Sequence, residues 1–375
     1  MSLLKEKKVR IPQYDLIRAV AMFLVVYVHS SFMLNYMPTY GSKQMGLFWF
    51  TDILALVCNG LFFMVSGKFN LTQATELGIG GYRKFYSKKV IDLLLPVAFY
   101  AIAFWVLRFV GIKIFGAWDD GVNILNYNVF LKTIYQLLIS SWWFVPTIFS
   151  LMIFTPFLGR MLSSLKIKET YVLLGLLFGC SAVIALENLL GVTTILSQFI
   201  APVFGIWAGY YILGYVIDKI KISTKLLSGM YALAGALVVI FGLIFVLEPQ
   251  LSLSSGGEPF PAWKAILSAV FYPAVAIALF LLFKNIQITG DKVKRIVEFV
   301  GNRAYGIYLI HFCFIFSYLQ LLPKQLRGSD NVVSGVLIRL VITTIVYLIS
   351  LMVATIVDLL VVNPIQKRLK ILLLR

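Results

Sequence analysis

Charged residues are scarce in this sequence. They make up 13% of its 375 residues, whereas hydrophobic residues make up 60%. A soluble globular domain is nearer to a quarter charged, so that class of protein is excluded. Apolar runs of about twenty residues recur along the chain, and each is long enough to cross a bilayer. The sequence therefore predicts an all-α bundle of membrane-spanning helices, organised as one integral-membrane domain over residues 1–375.

Cysteine and histidine are also sparse. The three cysteines, Cys58, Cys180 and Cys313, lie within apolar runs, and their odd number and unpaired spacing exclude a disulfide framework. We expect free thiols packed between helices. The two histidines, His29 and His311, lie within apolar runs as well. We expect no metal cofactor.

Acidic residues are few beside basic ones, with 16 against 33 and a formal net charge of +17. Lys and Arg fall mainly in alternate connections between apolar runs, which is the positive-inside pattern of membrane proteins. This distribution indicates topology and contact with anionic membrane lipids rather than a nucleic-acid partner. The basic N-terminus "MSLLKEKKVR" is followed by no small-residue cleavage site, so we expect a retained first helix with a cytoplasmic start.

Ten spans, with both termini cytoplasmic, place the basic connections on one face of the membrane. The predicted spans are approximately Tyr14–Leu34, Phe48–Val65, Val90–Val110, Trp142–Leu162, Tyr171–Leu190, Ile195–Ile217, Leu226–Leu247, Trp263–Phe283, Ile296–Leu321 and Val332–Val361. The inward segment Lys68–Lys89 is predicted as a long polar loop. The amphipathic segment Asn128–Ser141 is too polar to span easily, and we expect a re-entrant or interfacial helix there.

Arg18 and His29 interrupt the apolar first span, "DLIRAVAMFLVVYVHS". At about 100° and 1.5 Å per residue, an eleven-residue spacing puts them on one face of a helix, about 16 Å apart along its axis. Ionisable residues within a membrane face protein or a water-filled cavity, and they mark functional sites. Arg18 has a structural alternative, which is to snorkel to the cytoplasmic headgroups or to pair with Asp15.

Two further residues are candidates for chemistry. His311 lies fifteen residues after Ile296 in a span that also runs outward, so we expect both imidazoles at a similar depth. The alternative for either histidine is an interhelical hydrogen bond without a catalytic role. Asp52 lies at the outer end of the second span and is a candidate to orient an imidazole or an acceptor. Its alternative is simple exposure at the interface.

Several segments, taken in order, resemble the membrane-bound acyltransferase 3 family, whose bacterial members O-acylate cell-surface glycans. The first helix carries an Arg-x10-His pattern similar to that of the family. Later blocks of the family are similar to "LFFMVSG", "FYSKKVIDLLLP", "SWWFVPTIFSLMIFTPFLGRML", "GYYILGYVI" and "VGNRAYGIYLIHF". The resemblance implies an O-acyltransferase of the bacterial plasma membrane, in the short form without an appended extracellular esterase-like domain.

The resemblance also implies the substrates. The donor would be an acyl-CoA, most often acetyl-CoA, supplied from the cytoplasm, and the acceptor a glycan on the extracytoplasmic side. The glycan and the oligomeric state are not determined by the sequence. The runner-up hypothesis is a transporter or flippase in which the same ionisable residues form a proton or substrate path. Against it, the chain shows no repeat in the order of broken helices.

Residue roles follow from the resemblance. His29 is the candidate base, since a neutral imidazole accepts a proton near neutral pH, and Arg18, His311 and Asp52 are further catalytic candidates. Direct transfer and an acyl-enzyme both remain open. Where the family often has Arg-x-x-Arg, this chain has two lysines and then Asp92, so the bidentate guanidinium geometry is lost. The candidates to hold the coenzyme's phosphates at the cytoplasmic mouth are Arg18, Arg83, Lys84, Lys88 and Lys89.

Overall fold

The protein is helical throughout its described residues. The computed structural model describes residues 10–30, 41–75, 77–115, 127–192, 205–254, 258–315 and 332–373. Within these ranges there is no β-strand, and the only extended pairing is an isolated bridge between Leu253 and Pro259. The prediction of an all-α bundle is confirmed.

Fifteen helices of the described residues are named here in chain order. They are α1 Pro12–Ser30, α2 Lys43–Leu56, α3 Cys58–Thr75, α4 Tyr82–Lys89, α5 Leu95–Phe115, α6 Tyr127–Gln136, α7 Phe144–Ser164, α8 Ile167–Leu189, α9 Ile206–Val216, α10 Thr224–Leu247, α11 Pro261–Ile266, α12 Tyr272–Asn285, α13 Asp291–Cys313, α14 Val332–Val357 and α15 Asn363–Leu373. Wide π-helical turns join three pairs of consecutive helices: Val90–Leu94 between α4 and α5, Leu267–Phe271 between α11 and α12, and Asp358–Val362 between α14 and α15.

Seven helical segments of the described chain are long and apolar enough to cross a membrane. They are Lys43–Thr75, Tyr82–Ile114, Phe144–Ser164, Ile167–Glu187, Thr224–Leu247, Pro261–Asn285 and Ser334–Leu373. Large apolar side chains such as Ile153, Phe157 and Leu243 are exposed on the bundle's outer surface, where lipid would cover them. The protein is therefore an integral membrane protein. A total of ten spans and cytoplasmic termini stay predictions.

The prediction of a loop over Lys68–Lys89 is wrong, because most of this segment is helical. α3 continues to Thr75, and α4 begins at Tyr82. Polarity marks where a helix leaves the hydrocarbon and not where the helix ends, since a helix satisfies its own backbone hydrogen bonds in either environment. The ends predicted for the first and ninth spans, Leu34 and Leu321, lie outside the described residues, as does the start of the sixth at Ile195.

Two glycines allow α3 and α9 to cross at very short range. A Cβ atom added at Gly67 would lie 1.7 Å from the carbonyl oxygen of Tyr211, and one added at Gly214 would lie 1.9 Å from that of Met64. Small residues let membrane helices approach until their backbones touch. At this crossing no larger residue fits on either helix without moving the other.

A buried ion pair joins α2 to α14. Arg339 is 2% exposed and donates a hydrogen bond to the carboxylate of Asp52, which is 6% exposed. The same guanidinium donates to the carbonyl oxygen of Tyr27 at 2.9 Å and lies 3.9 Å from the centre of its ring. One cation therefore ties α1, α2 and α14 together, and its charge is balanced within the bundle.

The glycine crossing predicts a stability difference. We expect Gly67→Ala to lower the free energy of unfolding by about 1–3 kcal/mol, because the added methyl overpacks the crossing. Gly235→Ala is the matched control: it lies in α10, and its Cβ would meet nothing within 4 Å. Thermal unfolding of both variants in detergent tests this, and equal midpoints would contradict it.

The ion pair between Arg339 and Asp52 predicts that single and double variants differ in stability. Arg339→Met removes the buried cation that balances Asp52, and we expect a loss of about 3–5 kcal/mol of stability. The double variant Asp52→Leu/Arg339→Met replaces both charges by apolar groups and is expected to lie much closer to wild type. Thermal unfolding and the fraction of unaggregated protein measure both effects. A double variant no more stable than Arg339→Met would show that the pair itself is not what matters.

Candidate active site

One cavity of about 600 Å³ lies inside the bundle, between α1, α3, α5, α7 and α13. The π-helical turns Val90–Leu94 and Asp358–Val362, together with the start of α15, close it on one side. From α1 it is lined by Val28 and by three residues that share one face, Arg18, Val25 and His29. Their spacing of seven and eleven residues keeps all three on one helical face, so this face of α1 forms a wall of the cavity.

The two histidines meet across α1 and α13. His29 Nδ1 lies 2.9 Å from His311 Nε2, and the ring centres are 5.1 Å apart at an interplanar angle of 21°. The Phe312 ring lies 4.4 Å from each imidazole. His29 lines the cavity, whereas His311 is fully buried behind it and does not. The predicted similar depth of the two rings is thus realised as direct contact.

Arg18 both pairs with Asp15 and lines the cavity. Its Nη1 donates to Asp15 Oδ1 at 2.8 Å, and its guanidinium lies 4.9 Å from the centre of the Phe69 ring. Asp15 also accepts from Arg10 Nε at 2.6 Å, and this hydrogen bond raises the pKa of the Arg10 guanidinium above its ordinary value. Since Asp15 has two cationic partners, one positive charge of this trio is left over beside the cavity.

Lys89 is the second cation of the predicted set that lines the cavity, and its Nζ donates to Asn70 Oδ1 at 2.5 Å. Three other predicted cations, Arg83, Lys84 and Lys88, are not among the lining residues, and the first two are exposed. Their contact with a donor stays a prediction.

Sequence reasoning missed a series of carboxamide side chains in the cavity wall. They are Asn59, Asn70, Asn302, Asn363 and Gln366. They come from α3, α13 and α15, so no local pattern joins them. Each carboxamide can both donate and accept hydrogen bonds, so this wall is polar as well as charged.

Two carboxylates also line the cavity on the side of the π-helical turns. Asp92 pairs with Lys370 at 2.5 Å, and Asp358 accepts from the Tyr100 hydroxyl at 2.8 Å. Both are therefore held by partners that restrain them. In the described part of the chain, no three His, Cys, Asp or Glu side chains are grouped to hold a metal ion.

Asp52 is placed with Arg339 and is not among the lining residues of the cavity. Its proposed role in orienting an imidazole or an acceptor stays a prediction. The sequence contains a signal for the partner of Asp52, because Arg339 is a lone cation within the apolar last span. Such a cation requires a buried anion or hydrogen-bond acceptors.

The arrangement places an imidazole, two cations and hydrogen-bonding amides around one cavity. A family model described as an acyltransferase domain, that of the acyltransferase 3 family, matches residues 11–358. Comparisons with the curated proteins and with the solved structures give no significant match. The match covers nearly the whole described bundle and includes both histidines. The chain therefore belongs to the acyltransferase 3 family and is a membrane acyltransferase.

Proposed function

We propose that the protein is an O-acetyltransferase of the bacterial plasma membrane. It transfers the acetyl group of cytoplasmic acetyl-CoA to a hydroxyl of a cell-surface or lipid-linked glycan on the extracytoplasmic side. The observation that carries this proposal is that Arg18 and His29 line one continuous cavity. A cationic group and a candidate base therefore lie toward opposite ends of the same space.

The donor fits this space by length and by chemistry. Eleven residues of α-helix separate Arg18 from His29 by about 16 Å, which is comparable to an extended pantetheine arm. The phosphates of the coenzyme pair with Arg18 and Lys89 through charge-assisted hydrogen bonds. The two amides of the pantetheine arm bind the carboxamides of the wall. The thioester then lies beside His29.

The reaction is general base catalysis of acyl transfer. His29 takes the proton of the acceptor hydroxyl as its oxygen attacks the thioester carbonyl. The tetrahedral intermediate collapses, the carbon–sulfur bond breaks, and the coenzyme leaves as a thiolate. This thiolate takes from His29 the proton that came from the acceptor hydroxyl. The result is a glycan ester and a free thiol, with no net redox change.

Direct transfer is favoured over an acyl-enzyme formed on Ser30. Its Oγ is fully buried, donates to the carbonyl oxygen of Tyr27 at 2.8 Å, and lies 3.0 Å from Thr343 Oγ1. Ser30 is not among the cavity-lining residues, so a thioester in the cavity does not reach it. Ser31, the other serine considered, lies outside the described residues.

Loss of the base tests the proposed function. Purified protein in nanodiscs, given radiolabelled acetyl-CoA and bacterial envelope glycans, is expected to transfer label to glycan. His29→Ala is expected to lower the rate by about 10²–10⁴-fold, because general base catalysis contributes that much. Binding of coenzyme A is expected to stay near wild type, since His29 contacts the reacting end only.

Three outcomes would count against this scheme. Label that remains covalently on wild-type protein without acceptor would indicate an acyl-enzyme. Equal transfer by wild type and His29→Ala would move the base elsewhere. Absence of both transfer and coenzyme A binding in wild type would overturn the donor itself.

Donor binding tests the cationic end of the cavity. Arg18→Ala and Lys89→Ala are each expected to raise the Kd for coenzyme A by about ten- to a hundredfold, the value of a charged hydrogen bond. Arg18→Ala leaves Asp15 bonded to Arg10, so the fold is expected to survive. Isothermal titration measures the change.

Arg295→Ala is the matched control for charge alone. Arg295 is an exposed cation of α13 that bonds only its own helix, at the carbonyl of Asp291, and it does not line the cavity. The Kd of the Arg295→Ala variant for coenzyme A is expected to match that of wild type. A loss equal to that of Arg18→Ala would mean that general surface charge, and not the cavity, attracts the coenzyme. Arg83→Ala in the same series tests one of the two exposed cations of the predicted set.

A further inference from the structure

The role of the second imidazole follows from its hydrogen bonds. His311 Nδ1 lies 2.8 Å from the carbonyl oxygen of Tyr308 and 3.1 Å from that of Ile307. A carbonyl oxygen only accepts hydrogen bonds. A lone pair on Nδ1 would face the lone pairs of both oxygens at close range. Nδ1 of His311 therefore carries the proton.

The proton on Nδ1 of His311 determines the protonation state of the other ring nitrogen, Nε2. A neutral imidazole with a proton on Nδ1 has a lone pair on Nε2 and accepts a hydrogen bond there. The atom 2.9 Å from this nitrogen is His29 Nδ1, which must then be the donor. With its proton on Nδ1, the neutral ring of His29 carries its own lone pair on Nε2. The backbone of α13 thus determines the protonation pattern of a side chain on α1.

We infer that His311 is a positioning residue that holds His29 in the tautomer able to accept a proton at Nε2. This inference rests on the proposed function, in which His29 is the base. His311 acts as the third group of a catalytic triad does, by orienting a base through hydrogen bonding. Unlike the aspartate of such a triad, it is neutral, so no charge is buried in the ground state.

The surroundings of His311 support a positioning role. The residue is fully buried and does not line the cavity, so it does not contact a ligand there. Its neighbour Tyr308 is held in turn, since the Tyr308 hydroxyl accepts from the Phe144 amide and donates to the Ser141 carbonyl, each at 3.2 Å. The ring of His311 itself is held at both nitrogens, at Nδ1 by the backbone of α13 and at Nε2 by His29.

The pair also stabilises the protonated base. Once His29 Nε2 has taken the acceptor's proton, the cationic ring donates from Nδ1 to the lone pair of His311 Nε2. A hydrogen bond from a charged donor is about twice as strong as a neutral one. The proton cannot escape further along this path, because the next groups, the carbonyls of Tyr308 and Ile307, do not take it. It is returned through Nε2 to the leaving thiolate.

Nuclear magnetic resonance of ¹⁵N-histidine tests the tautomers directly, because the chain has two histidines. At alkaline pH, where both rings are neutral, we expect each ring to be protonated on Nδ1 and unprotonated on Nε2. The His311→Leu variant assigns the signals and removes the acceptor, and we expect the His29 proton to redistribute between its two nitrogens. A wild-type His29 protonated on Nε2 would overturn the inference.

Kinetics separate positioning from mere packing. We expect His311→Leu to lower kcat by about 10²-fold, at the lower end of what a general base contributes, with coenzyme A binding unchanged. His311→Gln retains a side-chain oxygen that accepts from His29 Nδ1, and we expect it to recover at least half of that loss on a logarithmic scale. Equal kcat values for both variants would overturn the inference. If wild type transfers no acyl group, the proposed function fails, and the resonance experiment still decides the tautomers.

Discussion

Charged and titratable groups inside a membrane must be turned away from lipid and given partners, and this constraint organises the whole bundle. α1 carries three such groups, Asp15, Arg18 and His29, and lies at the centre of the structure, packed against α3, α13 and α14. Each group has a partner: Arg10, just before α1, for Asp15; Asp15 itself for Arg18; and His311 on α13 for His29. α1, which carries these ionisable groups, therefore lies in the core of the bundle, and the cavity forms along its polar face.

The crossing of α1 and α13 controls both ends of this face. At one end, a Cβ atom added at Gly301 would lie 2.6 Å from Asp15 Cβ, so the backbones meet closely beside Arg18. At the other end, the same two helices bring His29 against His311. Because both contacts belong to one rigid pair of helices, the distance between the cationic group and the base is set by helix geometry rather than by loops.

Some of this arrangement was readable from the sequence, and the rest was not. The spacing of Arg18 and His29 predicts a shared face because helical periodicity is local. The grouping of the cavity carboxamides could not be predicted, because it depends on contacts across the chain: Asn59 and Gln366 lie on α3 and α15 and line the same cavity. The helices within Lys68–Lys89, which end at Thr75 and begin again at Ile79, were missed because hydropathy reports the environment of a residue and not its backbone conformation.

The walls of the cavity differ in helical geometry. α3 is locked to α9 where Gly67 and Gly214 bring the two backbones into contact, so this side has no room to shift. The facing side is built from the turns Val90–Leu94 and Asp358–Val362, whose wider hydrogen-bonded rings interrupt the regular helical ladder. The cavity therefore combines a wall of tightly packed regular helix with a wall of wide helical turns, and the carboxylates Asp92 and Asp358 both lie in those turns.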